Sequence, residues 1–190
     1  MTKPFSQRPP VHEREFHSIL RDVASDQGTP AFRSGVAALR TLTTTRSPEV
    51  VSTKLDGVFR NPNKVKLPSG VSEMRLRVNL LRAVGELRHP ALISLIQDHG
   101  LRSKEVPIRR AALLAAGKLG QHGESLLPLV ASSIMHPHPF VRDAALQAHT
   151  RLNVRAVSSY PSPFPRDGFH LTPVANGKPF GSRKNKVAYV

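Results

Sequence analysis

The sequence contains no cysteine and no tryptophan, and only two of its 190 residues are tyrosine. The lack of cysteine excludes disulfide frameworks, thiolate zinc sites, iron–sulfur clusters and thiol nucleophiles. No apolar run approaches the roughly 18 residues that a membrane-spanning helix needs, so we expect no transmembrane segment. The first ten residues hold three prolines and no apolar signal-peptide centre. We therefore expect a protein that is not secreted.

Acidic residues are also scarce: 13 Asp and Glu stand against 28 Lys and Arg, for a formal net charge of +15. Residues 12–153 carry 20 basic and 12 acidic side chains, whereas residues 154–190 carry six basic and one acidic. An ordinary protein surface mixes the two signs near neutrality. This excess indicates a polyanionic partner, with nucleic acid favoured over an anionic membrane.

Three ungapped segments repeat one apolar pattern, at residues 76–87, 108–119 and 141–152. Each opens with an aliphatic residue and an arginine and places small or apolar residues three, four, seven and eleven positions on. That pattern is one buried face of a helix. The opening arginines are 32 and 33 residues apart, a spacing typical of helical solenoids. A weaker copy begins at Phe32.

Each repeated segment follows another apolar helical stretch, which predicts an all-α protein of about four helix pairs. The predicted pairs occupy residues 12–43, 47–88, 90–120 and 124–153. Alanines within the repeats predict close approach of neighbouring helices, so we expect four of them to be buried there. These are Ala112, Ala115, Ala145 and Ala148.

The composition divides the chain into three regions. Residues 1–11 form an amino-terminal extension, and residues 12–153 form the helical repeat domain. Within that domain, residues 60–70 contain two prolines and a glycine and are predicted to be a basic, extended insertion. Residues 154–190 are a basic, proline- and glycine-rich tail that cannot by itself bury enough apolar surface to become ordered.

The repeats resemble the HEAT-repeat family. The resemblance rests on Pro139-Phe-Val-Arg-Asp-Ala-Ala145, on Val106-Pro-Ile-Arg-Arg-Ala-Ala112 and, more loosely, on Met74-Arg-Leu-Arg-Val-Asn-Leu80. In that family a turn with proline leads into a second helix that begins Val-Arg and continues with small residues. The resemblance implies a short α-solenoid over about 140 residues and says little about activity.

The resemblance also implies a structural role for the arginine at the start of each second helix. There it packs between repeats and bonds neighbouring backbone or carboxylates, so we expect these four arginines to be structural before they are phosphate ligands. They are Arg33, Arg77, Arg109 and Arg142. The turn before Arg142 has histidine where the family often has aspartate, which removes its expected acidic partner.

Basic residues in the insertion and in the tail are the candidate RNA contacts, because such side chains bind phosphate without fixed secondary structure. Tail aromatics between them could stack on bases. The candidates are Arg60, Lys64 and Lys66 of the insertion and Arg155, Arg166, Lys178, Arg183, Lys184 and Lys186 of the tail.

No motif predicts catalysis, a metal or a cofactor. The histidines at 12 and 17 are five residues apart and so do not share a helix face as a zinc-protease pair does. His136 and His138 flank a proline and lack a carboxylate to complete a site, so we expect a solvated turn. No pair of carboxylates is placed for acid–base work, and we expect no small-molecule substrate.

We therefore expect a non-enzymatic accessory subunit of a large ribonucleoprotein, most plainly a ribosomal or mitoribosomal protein. It would bind rRNA or other structured RNA through its basic segments and neighbouring proteins through its repeats. The expected location is the mitochondrion, or otherwise the cytoplasm. The alternative is a scaffold subunit of a mitochondrial membrane complex, such as a respiratory complex or ATP synthase. A third alternative is a repeat-fold enzyme, such as a HEAT-like DNA glycosylase or bilin lyase. Those enzymes need catalytic aromatics and carboxylates in a concave groove, whereas this sequence has no Trp and has both of its Tyr in the tail.

Overall fold

The computed structural model describes the backbone of residues 13–159 and the side chains of residues 15–153. These residues form helices and turns, with no strand among them, which confirms the all-α prediction. Short 3-10 turns occupy Pro62–Lys64, Pro90–Leu92 and Gly120–Leu126, and a π-helical turn occupies Ile96–Leu101. The α-helices are α1 Glu13–Val23, α2 Pro30–Thr45, α3 Pro48–Arg60, α4 Glu73–Leu87, α5 Ile93–Leu95, α6 Val106–Leu119, α7 Leu127–Ser133 and α8 Pro139–Ser159.

Local signals in the sequence set the starts of several helices. The hydroxyls of Thr29 and Ser72 accept hydrogen bonds from backbone N–H groups three residues on, at 3.3 and 3.2 Å. These bonds satisfy donors that a helix start otherwise leaves unpaired. α3 begins at Pro48 behind Ser47, as the Ser-Pro pair predicts, because proline has a helical φ and no N–H to leave unpaired.

The first helical stretch of the third predicted pair begins at residue 90 and combines 3-10, α and π turns. The Arg102 amide donates to the Gln97 carbonyl at 3.3 Å, the five-residue spacing of a π-helix. A Cβ on Gly100 would lie 2.3 Å from the Cβ of Ala112 in α6. The missing side chain therefore lets the π turn pack directly onto α6. The apolar pattern predicts a helical stretch here, but it does not predict the change from 3-10 through α to π turns, because that change accompanies a contact with the later helix α6.

Three of the four predicted helix pairs pack directly. α1 lies against α2, the π turn lies against α6, and α7 lies against α8. The second pair differs, because the 3-10 turn Pro62–Lys64 contacts both α3 and α4 and bridges them. The insertion thus takes a place between two helices that the sequence pattern assigns to one unit.

The second helices contact each other in chain order, α2 with α4, α4 with α6, and α6 with α8. The same contact recurs at the last two of these junctions. A Cβ on Gly85 would lie 2.7 Å from the Cα of Ala115, and one on Gly117 would lie 3.0 Å from the Cα of Ala148. Each glycine therefore allows the backbone of one helix to approach the backbone of the next. A solenoid arrangement of the whole domain stays a prediction.

The small residues of the repeats lie in the core, as predicted. Ala112, Ala115, Ala145 and Ala148 are each at most 1% exposed. They join one continuous cluster of buried aliphatic and aromatic side chains that extends from α1 to α8. The prediction that these alanines are buried between neighbouring helices is confirmed.

The predicted region boundaries differ from the structure at two places. α8 continues to Ser159, so the first six residues of the predicted tail, 154–159, are helical. The insertion is not extended: it contains a 3-10 turn, and both Pro62 and Val65 are buried. Residues 1–11 and the rest of the tail lie outside the described residues.

The contact between Gly85 and Ala115 yields a stability prediction. Gly85→Ala should lower the free energy of unfolding by roughly 1–3 kcal/mol, because the new methyl group meets backbone atoms and α4 must move away from α6. The measurement is urea denaturation followed by circular dichroism at 222 nm.

Gly57 in α3 provides the matched control. A Cβ there would meet nothing within 4 Å, so Gly57→Ala should raise stability by about 0.5–1 kcal/mol through helix propensity alone. Equal effects of the two substitutions would show that the close approach of α4 and α6 does not govern stability.

Candidate nucleic-acid interface

A basic groove lies between α1 and the insertion. It has a volume of about 370 Å³ and is lined by His17, Ser18, Arg21, Lys64 and Lys66. We call it the α1–insertion groove. Arg21, Lys64 and Lys66 are exposed, and within the described side chains none of the three forms an ion pair. No carboxylate lines the groove among the described side chains, which place three positive charges there without an acidic partner.

The insertion is positioned by its own alternation of buried and exposed residues. Val65 is 5% exposed and is packed in the core, whereas Lys64 and Lys66 on either side of it are exposed. The buried Pro62 gives a second anchor. Because the backbone is held at two points, the two lysines are directed to solvent at little further entropic cost.

Sequence reasoning grouped Arg60 with the two lysines, but the structure separates them. Nε of Arg60 lies 2.9 Å from a carboxylate oxygen of Asp56, one turn earlier in α3. Its place in the groove is taken by Arg21, which the sequence analysis missed. A helical projection of α1 puts Arg21 one turn after His17, away from the apolar stripe. Only the packing of the insertion, however, shows that this face becomes part of the groove.

Two of the four helix-start arginines bind the turn that precedes their own helix. Nε of Arg109 donates to the Leu101 carbonyl at 2.9 Å. Nη1 of Arg142 donates to the carbonyls of His136 and Pro137, at 3.1 and 2.8 Å. Arg142 thus replaces its missing acidic partner with two carbonyl oxygens. Both arginines act on the backbone, as the structural interpretation expects.

The other two helix-start arginines do not make this bond. Arg33 is exposed and borders a shallow cavity beside α2. Arg77 is half-buried, and its Nε has no hydrogen-bond partner among the described residues. The segment before the helix of Arg77 is the insertion and not a short turn. It does not place a carbonyl oxygen against Arg77 as the turns before Arg109 and Arg142 do. The four arginines are therefore equivalent in sequence but not in structure.

A histidine–aspartate pair joins α3 to the π turn. Nε2 of His99 lies 2.7 Å from Oδ1 of Asp56, and the imidazole stacks on Phe59 with ring centroids 4.9 Å apart. The hydrogen bond from His99, with a smaller effect of Arg60, holds the pKa of the Asp56 carboxyl below its ordinary value. The sequence contains no signal for this pair, because 43 residues separate its members.

The His136-Pro-His138 turn is ordered by local bonds. Nδ1 of His136 accepts from the His138 amide at 3.1 Å, and the His138 ring packs obliquely on Phe140. In residues 15–153 no group of three or more histidine and acidic side chains is placed to hold a metal ion. The turn instead supplies the carbonyls that Arg142 binds.

The candidate contacts of the tail lie largely outside the described residues. Arg155 lies in the helical backbone of α8. Arg166, Lys178, Arg183, Lys184 and Lys186 fall beyond it. For the described part of the chain, no helix is both long and apolar enough to cross a membrane.

Comparison with family models, curated proteins and solved structures finds no match to this chain. The resemblance to HEAT repeats therefore stays a prediction from the repeated residues.

The Asp56–His99 pair predicts a pH dependence of stability. Because folding lowers the pKa of Asp56, its stabilising contribution is complete above the unfolded pKa of about 3.9 and is lost as pH falls through the folded value. Asp56→Asn should therefore be less stable than wild type at pH 7, and the difference should narrow between about pH 5 and pH 3. The measurement is the urea midpoint at each pH.

Asp143→Asn is the control for this experiment. Asp143 is exposed and forms no ion pair within the described side chains. Its substitution should change the urea midpoint only slightly, and by nearly the same amount at each pH. If the difference in urea midpoint between wild type and Asp56→Asn stayed constant from pH 7 to pH 3, the ionised Asp56 carboxyl would not be the stabilising group.

Proposed function

We propose that this protein is a non-enzymatic, RNA-binding accessory subunit of a large ribonucleoprotein, and that the α1–insertion groove is one of its contacts with the phosphate backbone. The observation that carries the proposal is the convergence of Arg21, Lys64 and Lys66 on a groove whose described lining contains no acidic residue. Most specifically, we propose that it is a mitoribosomal protein. That form rests on the combination of a helical body with basic extensions in the sequence.

The charge distribution supports a polyanionic ligand. Several acidic side chains of the described domain are occupied by contacts within it. Examples are Glu86 with Lys118, Asp26 with Arg75, and Asp98 with Arg102. The cations of the groove have no such partners, so a ligand with regularly spaced negative charges can neutralise several of them at once and release counterions.

The chemistry of the groove favours phosphate over base recognition. Its described lining is two lysines, an arginine, a histidine and a serine, which are typical donors to phosphate oxygens. No Phe, Tyr or Trp lines the groove to provide a stacking platform for bases. We therefore expect weak sequence preference.

The repeats supply the surface proposed for neighbouring proteins. Near the end of the described domain, Met135, Phe140 and Leu146 are 86%, 58% and 50% exposed. These three exposed apolar side chains of the last helix pair are the residues that we propose to contact a neighbouring protein.

The test compares the salt dependence of RNA binding for three full-length variants that each lose three positive charges. The first replaces Arg21, Lys64 and Lys66 with glutamine, and the second does the same to Arg183, Lys184 and Lys186. Because each phosphate contact contributes about 0.7–0.9 to the slope of log K against log salt concentration, either variant should reduce the slope by up to about two to three. The measurement is fluorescence anisotropy with a structured RNA at several salt concentrations.

The matched control replaces three exposed cations outside the groove, Arg33, Arg88 and Lys104, with glutamine. It has the same net charge as the other two variants but should keep a slope close to that of wild type. Equal slopes for the groove variant and the control would reject the groove as an RNA contact. Equal slopes for all variants and wild type would favour the alternative, a protein scaffold in a membrane complex.

A further inference from the structure

A second charged pocket lies where α3, α4 and the π turn meet, and the proposed RNA contacts do not use it. It has a volume of about 280 Å³. Three arginines line it: Arg60 from the end of α3, Arg77 from α4, and Arg102 from the residue after the π turn. We call it the Arg77 pocket.

The three arginines differ in depth and in partners. Arg60 and Arg102 are outer residues, 68% and 61% exposed, and they pair with Asp56 and Asp98 at 2.9 and 3.1 Å. Arg77 lies deeper, and its Nε is buried without an acceptor. A buried N–H that lacks a hydrogen bond costs roughly 1–3 kcal/mol. The described domain thus contains one buried guanidinium N–H, the Nε–H of Arg77, that has no acceptor within it.

The origin of this unused donor is the insertion. At the equivalent repeat position, Arg109 and Arg142 donate to carbonyls of the turn before their helix. Before Arg77 that turn is replaced by residues 61–72, and the 3-10 turn within them bridges α3 and α4. The same change of path therefore removes the internal acceptor of Arg77 and leaves a pocket beside it.

The acidic residues of the pocket do not supply the missing acceptor. Asp98 is bound to Arg102. Glu105, the N-cap residue of α6, makes no capping bond and forms no ion pair within the described side chains. Glu105 instead adds a negative charge to the pocket that an incoming anion must overcome.

We propose that the Arg77 pocket binds a phosphate group, with Arg77 as its inner ligand and Arg60 and Arg102 as its outer ligands. The planar guanidinium fork matches the oxygens of a tetrahedral phosphate and forms charge-assisted hydrogen bonds with them. Inorganic phosphate has four free oxygens and a terminal phosphate monoester has three, so either uses more of these donors than a phosphodiester, which has two. This inference does not rest on the proposed function, since the groove and the pocket share no residue.

The test is isothermal titration of the full-length protein with inorganic phosphate, at an ionic strength held constant with chloride. Wild type should bind phosphate saturably. Arg77→Met keeps helix propensity and removes the guanidinium, and it should weaken binding about tenfold or more. Arg33→Met is the matched control, because it removes the equivalent repeat arginine at an exposed position, and it should bind as wild type does.

A second variant keeps the proposal testable if Arg77→Met does not fold. Glu105→Gln removes the uncompensated negative charge of the pocket without losing a cap bond, and it should tighten phosphate binding several-fold. Unchanged binding in Glu105→Gln, or wild-type binding in a folded Arg77→Met variant, would overturn the proposal. Equal weakening by Arg33→Met would also overturn it, since binding would then follow net charge alone.

The source of the phosphate is distinguished with two RNA oligonucleotides of one sequence, one with a 5′-phosphate and one with a 5′-hydroxyl. A 5′-phosphate that tightens binding to wild type but not to Arg77→Met assigns the pocket to an RNA end. Equal binding of the two oligonucleotides, with Arg77-dependent binding of inorganic phosphate, assigns it to the free anion.

Discussion

The close approach of glycine to alanine between consecutive second helices is the contact on which the rest of this structure depends. Gly85 meets Ala115 with no space for a further methyl group beside the backbone, and Gly117 meets Ala148 almost as closely. At such distances α4 packs against α6, and α6 against α8, closely enough to exclude water. The buried area that follows is the main favourable term that a helical domain of this size has.

The insertion is tolerated because it lies between the first and second helices of one pair, outside this row of second helices. The 3-10 turn Pro62–Lys64 bridges α3 and α4, while α4 keeps its contact with α6 through Gly85. An irregular segment therefore enters the domain without disturbing its central packing. Beside this irregular segment lie Lys64 and Lys66, which form no ion pair within the described side chains, and Arg77, whose Nε lacks an acceptor there.

Hydrogen bonds and ion pairs also join the second helices to each other and to their neighbours. Glu86 of α4 pairs with Lys118 of α6, and its carbonyl accepts from Arg40 of α2 at 3.2 Å. Asn79 is buried and donates to the Ser25 carbonyl at 2.7 Å. Such bonds satisfy polar groups that the close packing would otherwise leave unpaired. Because internal contacts use many of the acidic residues, the positive excess remains on the groove.

The sequence by itself determined the helical class, the repeat spacing and the burial of the alanines, because 3.6-residue periodicity is a local property that tertiary packing enforces rather than alters. It also determined that cations would cluster in residues 60–70. Tertiary structure decided which cations meet. Arg21 joins Lys64 and Lys66 from a distant helix, and Arg60 turns back to Asp56. Arg77 lacks the carbonyl acceptor that Arg109 and Arg142 have. These contacts depend on the backbone conformation of an irregular segment, which a pattern of residue types along the sequence does not specify.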